Sequence, residues 1–226
     1  MSLFDQIKGF IFDVDGVITD TARFHSQAWH AIADQVGTPW SDDLANRLRG
    51  IDRMESLEII LQAGGKASAY TKAQKEELAT KKNEHYKELI AGLTPDDILP
   101  GIREFLTDLK EHGYQMSIAS ASHNAPAVLH SLGLDEFFPK IVDPGTLSQG
   151  KPEPEIFLKA AAILDLEPRQ CVGIEDAVAG IEAIDAAGEL SIGIGDKEAL
   201  RAATMVFPST SQLSLPNISK QLLGVA

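Results

Sequence analysis

An α/β fold is predicted: a parallel sheet with helices on both faces, and an all-helical domain inserted after the first strand. Three observations predict it. Ile7-Lys8-Gly9-Phe10-Ile11-Phe12 is a short apolar run, the pattern of a strand buried on both faces. From residue 99 onward, short apolar and amphipathic stretches alternate steadily, which implies βα units and a parallel sheet. Between them, about 70 residues show no strand pattern, far beyond an ordinary connection.

The elements follow in order. The first strand ends in Asp13-Val14-Asp15-Gly16. Phe24, Ala28, Ile32 and Val36 then recur every four residues, predicting a helix that Gly37 and Pro39 stop. Residues 41–48 read as a short helix and 53–62 as another, ended by Gly64-Gly65. Residues 71–91 predict a long charged helix with Thr71 as a good N-cap. The helical domain is therefore placed at 21–92, and the α/β core at 1–20 and 93–226. In the core, helices are expected at 102–111, through Val128 and Leu129, at 154–164, and at 177–187, where Gly188 ends the last. Strands are expected at 114–119, 140–142, 171–174 and 190–194, with 205–207 the last strand. No internal repeat or low-complexity tract interrupts the pattern.

Composition narrows the function. The 226 residues suffice for a sizeable core, and 44% hydrophobic content is ordinary for a globular protein. A net charge of −13 argues against nucleic acid as a partner. Positive charge for a phosphate ester would have to be brought to the site locally. The one cysteine, Cys171, excludes an intrachain disulfide and sits in an apolar run as a small core residue. No apolar run reaches the ~20 residues of a membrane helix, and the first residues lack a basic segment followed by a long apolar one. A cytoplasmic protein that does not bind membranes is expected, and the Asn217-Ile218-Ser219 triplet is then not a glycosylation site. Gly193-Ile194-Gly195 lacks the third glycine of a dinucleotide fingerprint, Gly64-Gly65-Lys66 lacks the spaced glycine of a P-loop, and the six histidines show no zinc spacing.

The chemistry gathers where strands end, since open α/β sheets keep ligands at the carboxyl ends of their strands. On an extended backbone Asp13 and Asp15 would point into one crevice, and Gly16 lets a ligand approach the backbone. Carboxylate and carbonyl oxygens suit a hard cation, and an aspartate can attack phosphorus. Ser120, after the second strand, reads equally as a phosphate contact or within a capping turn that Ser122 or Asn124 would serve. Lys151, held between Gly150 and Pro152, reads as a surface lysine or as a cation set against a phosphoryl group. Glu175-Asp176, after the strand 171–174, would repel the first acidic pair unless a cation lies between them.

Asp-x-Asp, then Ser, then Lys-Pro, then Glu-Asp, each after a strand, resembles the haloacid dehalogenase superfamily of phosphotransferases. Residues 13–21, Ser120, Lys151 and Glu175-Asp176 match its four motifs in order, and the helical insertion sits where that superfamily carries its cap. The resemblance implies a Rossmann-like, haloacid dehalogenase-like core. Finer details are similar to the sugar-phosphate mutases of that superfamily. These are His25 and Trp29, Arg49-Gly50-Ile51, and Arg53 with Ser56; then Lys82-Asn83, Ala121, Ser122 and Asn124. His123 stands where some members have a lysine.

That likeness implies interconversion of β-glucose 1-phosphate and glucose 6-phosphate through β-glucose 1,6-bisphosphate. Asp13 would be the nucleophile, Asp15 the general acid and base, and Ser120 and Lys151 would neutralise the transferring oxygens. Mg²⁺ would be held by Asp13, the backbone carbonyl of Asp15 and Asp176, with Glu175 nearby. Thr21, His25 and Trp29 would share one stripe of the first cap helix. Together with Arg49, Gly50, Ser56, Lys82, Asn83 and Ala121 they would bind substrate, while Arg53, Ser122 and Asn124 would grip its distal phosphate. The implied partner is a small phosphorylated sugar, bound by a monomer. A sugar-phosphate or phosphoglycolate phosphatase is the alternative within the superfamily. A phosphoaccepting signalling domain is the alternative outside it, and needs neither a lid nor Asp15.

Overall fold

In the computed structural model, which describes residues 4–224, five parallel strands form one sheet. They are β1 (Gly9–Phe12), β2 (Gln115–Ile118), β3 (Cys171–Glu175), β4 (Leu190–Ile194) and β5 (Met205–Phe207), in the order β2-β1-β3-β4-β5. All four residues of β1 are buried, as its unbroken apolar run requires. Phe12 lies level with Ile118 on one side and Ile174 on the other. Three strands therefore release the chain at one height, where the order reverses about β1 and a crevice opens.

Four helices follow β1: α1 (Ala22–Val36), α2 (Asp42–Arg47), α3 (Arg53–Ala63) and α4 (Lys72–Ile90). Each boundary has a local cause. Gly37, at φ 67°, closes α1; Ser41 and Asp52 cap α2 and α3 through their side chains; Thr71 and Gln74 form a capping box on α4. The helices bury their own apolar cluster, including Trp29, Ile32, Leu57, Ile60 and Leu78, and form an all-helical cap. The two chain crossings beneath it are tied side by side. The Leu99 N–H donates to the Ile18 carbonyl at 2.9 Å, and the Thr19 hydroxyl to the Asp97 carbonyl at 2.7 Å. Two adjacent crossings make a hinge.

The remaining helices are α5 (Ile102–Glu111), α6 (Ala125–Ser131), α7 (Glu155–Ile163), α8 (Val178–Ala187) and α9 (Leu215–Gly224). Phe10 and Phe12 pack with residues of α5, α6 and α9, whereas Ile11 packs with α7 and α8. The alternation along one strand thus feeds two layers.

Two expectations are corrected. Residues 140–142 form no strand. Ile141 makes an isolated bridge to Ile118, and Asp143-Pro144 turns the chain away. Helix α9 is not among the elements expected, although Leu215, Ile218 and Leu222 are buried at helical spacing. Pro216 and Asn217 mask that pattern, and a proline is tolerated in a first turn. Ile218, inside the glycosylation-like triplet, is fully buried. Among the described residues no helix is long and apolar enough to cross a membrane.

Glu189 lies just after Gly188, which ends α8, and is 6% exposed. Neither of its carboxylate oxygens has a hydrogen-bond partner. Burial pushes this carboxyl well above its usual range, and its charge adds to the burial that pushes the Cys171 thiol up to about 12. The fold thus binds a proton that the unfolded chain releases near pH 4.5, so the group costs stability as pH rises above that value. Glu189→Gln should therefore stabilise the protein at pH 8 by about 1–3 kcal/mol and change little near pH 4, read by denaturant titration at both pH values. Equal effects at the two would refute a titrating origin.

Candidate active site

Asp13 is the first residue after β1, and its N–H is held by the Ile174 carbonyl of β3 at 3.0 Å. The side chain is almost fully buried. Lys151 Nζ donates to Asp13 Oδ1 at 2.8 Å and to Glu175 Oε1 at 2.6 Å. The other oxygen of Glu175 accepts the N–H groups of Asp176 and Ala177, both at 2.8 Å. Gly180 of α8 makes room for that carboxylate, since a Cβ there would fall 2.0 Å from it. Burial alone would push the Lys151 ammonium down, but Asp13 and Glu175 outweigh it and hold the lysine protonated. Lys151 is no surface lysine: it is 1% exposed.

Asp13 and Asp15 do face one cavity, but a turn places them there rather than an extended strand. The Asp15 N–H donates to Asp13 Oδ2 at 2.9 Å. Around Asp15 Oδ1 the cap supplies three groups: the Thr21 hydroxyl at 2.5 Å, the Tyr86 hydroxyl at 3.5 Å and His25 Nε2 at 3.5 Å. Lys82 Nζ lies 2.6 Å from His25 Nδ1, so as an ammonium it donates there and leaves the proton on Nε2, which is buried without a hydrogen bond. Burial, with Lys82 and Arg53 nearby, pushes His25 down to about 4 despite Asp15. Burial likewise brings Lys82 down to about 7. Its ammonium lies 5.0 Å from the centre of the Trp29 ring and 4.8 Å from that of Tyr86.

From the cap, His25, Trp29, Arg49, Gly50, Arg53 and Lys82 line the cavity. From the core, Asp13, Asp15, Ala121, Ser122 and Asp176 do. Other expected residues stand behind this wall. Ser56 is fully buried and turns its hydroxyl toward the Ile51 carbonyl. Thr21 serves Asp15. Ser120, 1% exposed, accepts the Ser122 N–H at 3.1 Å, while Ser122 Oγ accepts the Asn124 N–H at 3.3 Å. Asn83 Oδ1 accepts both Arg53 Nη2 and Asn124 Nδ2, each at 2.9 Å, and so joins two cap helices to the core. Tyr86 was not anticipated, yet it lies four residues after Lys82 on the same face of α4, and its ring centre is 3.9 Å from that of His25.

The acidic strand ends pose a charge problem. Asp13, Asp15, Glu175 and Asp176 gather here, and Lys151 and the Arg49 guanidinium, which donates to Asp176 Oδ2, are the Lys and Arg groups bonded to them. Burial first, and Glu175 next, push Asp176 up to about 7. The uncompensated carboxylates fit a divalent cation, and oxygen donors suit a hard one. Among the described residues no ready-made cluster of three His, Cys, Asp or Glu stands there. Glu175 Oε2 accepts two backbone N–H groups and its Oε1 accepts Lys151, whereas each Asp13 oxygen accepts one donor, Lys151 or the Asp15 N–H, so an ion at Asp13 would use a remaining lone pair, with Asp176 beside it.

The chain is similar in sequence and in fold to known proteins. The haloacid dehalogenase-like hydrolase family matches residues 7–188. The chain is 49% identical over 209 residues to a Bacillus subtilis β-phosphoglucomutase, covering 92% of each. It is 30% identical over 184 residues to a Thermotoga maritima phosphorylated carbohydrates phosphatase, covering 80% of this chain and 82% of that one. A β-phosphoglucomutase crystal structure from Clostridium difficile superposes with a TM-score of 0.93 at 43% identity, covering 97% and 98% of the two chains.

The room at Gly180 is the tightest constraint on the lysine bridge. Gly180→Ala should push Glu175 off Lys151, lower stability by about 1–3 kcal/mol and reduce turnover with it. A variant of unchanged melting temperature and activity would show that Glu175 does not position the lysine.

Proposed function

The chain belongs to the haloacid dehalogenase-like hydrolase family, and from that premise we propose that it interconverts β-D-glucose 1-phosphate and glucose 6-phosphate through an aspartyl phosphate and β-glucose 1,6-bisphosphate. One observation carries the reading: two aspartates share a cavity but have different companions. Asp13 is held by Lys151 of the core, and Asp15 by Thr21, His25 and Tyr86, on the cap side. Different surroundings suit different duties, one nucleophilic and one acid–base.

The step begins with Asp13 carrying a phosphoryl group. Asp15, whose Oδ1 faces the Thr21 hydroxyl, takes the proton of the sugar's 6-hydroxyl through Oδ2 as that oxygen attacks phosphorus. The bond from phosphorus to Asp13 breaks, and β-glucose 1,6-bisphosphate results. After the bisphosphate turns round, Asp13 attacks the 1-phosphate and Asp15 returns its proton to the departing sugar oxygen, releasing glucose 6-phosphate. Lys151 offsets charge on Asp13 throughout, and the N–H groups of the loop that Ser120 braces from behind the cavity wall would face the transferring oxygens, the Ser120 hydroxyl joining them if it turns from the Ser122 N–H. A divalent cation such as Mg²⁺ would be held by Asp13, the backbone carbonyl of Asp15 and Asp176, where it would offset charge on the phosphoryl group. Arg53, Ser122 and Asn124 would hold the distal phosphate.

We place the cap at 21–92. We propose that it acts as a monomer. A sugar phosphate cannot leave the cell through a bilayer, which supports a cytoplasmic location.

The test is a coupled assay with α- and β-glucose 1-phosphate, with and without the bisphosphate. Glucose 6-phosphate should form from the β anomer alone, with the bisphosphate removing any lag. Free phosphate as the main product would favour the phosphatase activity named for the Thermotoga relative. Asp13→Asn should lower turnover by a factor on the order of 10³ or more while the fold survives. Arg53→Ala should lose mutase activity by more than it loses hydrolysis of acetyl phosphate, because the distal phosphate would be held less firmly. Equal losses would remove Arg53 from that role.

A further inference from the structure

We infer that Arg49 is a latch displaced by metal: without a divalent cation its guanidinium occupies the Asp176 carboxylate and holds the cap against the core, and a cation reaching Asp176 releases it. The inference rests on the functional reading only in taking Asp176 as a metal ligand.

Arg49 belongs to the cap, in the loop between α2 and α3, and Asp176 follows β3 of the core. Beyond the hinge, theirs is the one Lys or Arg to carboxylate pair that joins cap and core among the described residues. The loop sits on the core, since a Cβ at Gly50 would lie 3.5 Å from Ala177 Cβ and 3.7 Å from Lys151 Cδ. The Asn83–Asn124 hydrogen bond and the approach of Tyr86 and His25 to Asp15 are further ties, but none of them brings a Lys or Arg charge.

The two partners are unequal. The Arg49 side chain is 44% exposed and that of Asp176 only 8%. A long, half-exposed guanidinium returns to water at little cost, whereas the buried carboxylate has nowhere to go and needs a cation beside it. Asp176 Oδ2 is also pressed against the Asp15–Gly16 turn, where a Cβ on Gly16 would fall 1.9 Å from it. The oxygen that Arg49 takes thus faces the turn whose backbone carbonyl is the other proposed ligand. A cation and the guanidinium compete for one oxygen. Lys151 cannot act this way, because it is fully enclosed between two carboxylates. Metal binding would then loosen the cap before a substrate enters.

Calorimetric titration of Mg²⁺ into metal-stripped protein tests this, at low ionic strength and without sugar phosphate. Arg49→Met should bind Mg²⁺ about three- to tenfold more tightly than wild type. In small-angle scattering, metal-free wild type should be compact and expand on adding Mg²⁺, while Arg49→Met should be expanded in both states. Equal or weaker affinity in Arg49→Met, or scattering of wild type that ignores Mg²⁺, overturns the latch. Asp176→Asn separates the two levels of the argument. If it abolishes the Mg²⁺ heat while Arg49→Met leaves affinity unchanged, the latch alone falls. If it leaves the heat unchanged, the metal assignment falls and the latch with it.

Discussion

Everything at the site depends on one buried ammonium. Lys151 is enclosed between Asp13 and Glu175 with no exposure of its own side chain. Taking such charges out of water costs several kcal/mol each, so a triad of this kind is weak evidence for stability. What it gives is position. It requires β1 and β3 to be in register, so that Asp13 and Glu175 leave the sheet together. It requires the start of α8 to satisfy the second oxygen of Glu175, and a glycine one turn later to leave that carboxylate room. Sheet order, helix start and glycine are thus all accounted for by where one lysine must sit.

The cap governs the other aspartate. Among the described residues, the side chains that approach Asp15 arrive on the cap side of the hinge, from Thr21, His25 and Tyr86. Opening the cap would strip Asp15 of Tyr86 and His25 while leaving the Asp13–Lys151–Glu175 triad whole. Asp13, the proposed nucleophile, is thus held by the core alone, whereas Asp15, the proposed acid–base group, keeps these partners only with the cap in place. The neutral imidazole of His25 makes this coupling sharp. It presents Nε2 toward Asp15 only while Lys82, on another helix, donates to Nδ1.

Strand ends were legible in the sequence because polar chemistry there has no structural excuse. Asp13, Lys151, Glu175 and Asp176 each follow an apolar or turn pattern, and all four converge. The helices of the cap were legible from caps and glycines, as at Thr71 and Gly37. What could not be read is which side of a wall a residue occupies. Ser56 and Asn83 share helices with Arg53 and Lys82 but face packed neighbours rather than the cavity, and helical spacing alone does not set that rotation. Tyr86 was readable from its spacing to Lys82, yet an aromatic on a helix face is usually core, and this one is both core and site. Glu189 was invisible for the opposite reason, since nothing local marks a glutamate after a glycine as buried.

Charge explains why a 226-residue chain with a net charge of −13 carries so large an insertion. Its substrate is an anion and its catalytic core is itself acidic, with Lys151 fully engaged by two carboxylates. Among the described residues, the lysine and arginines that line the cavity wall, Arg49, Arg53 and Lys82, all belong to the cap. Closing the cap therefore does two things in one movement. It brings cations over an acidic floor, and it removes the water that would otherwise hydrolyse a phosphorylated aspartate. Removing water also strengthens each charge interaction that remains, so attraction for a second phosphate grows as the cavity shuts. An intermediate carrying phosphate at both ends is the ligand that gains most from this arrangement, because one end meets the core and the other meets the cap. A substrate with one phosphate satisfies only half of it, which is the physical ground for expecting such a site to retain a bisphosphate long enough for it to turn.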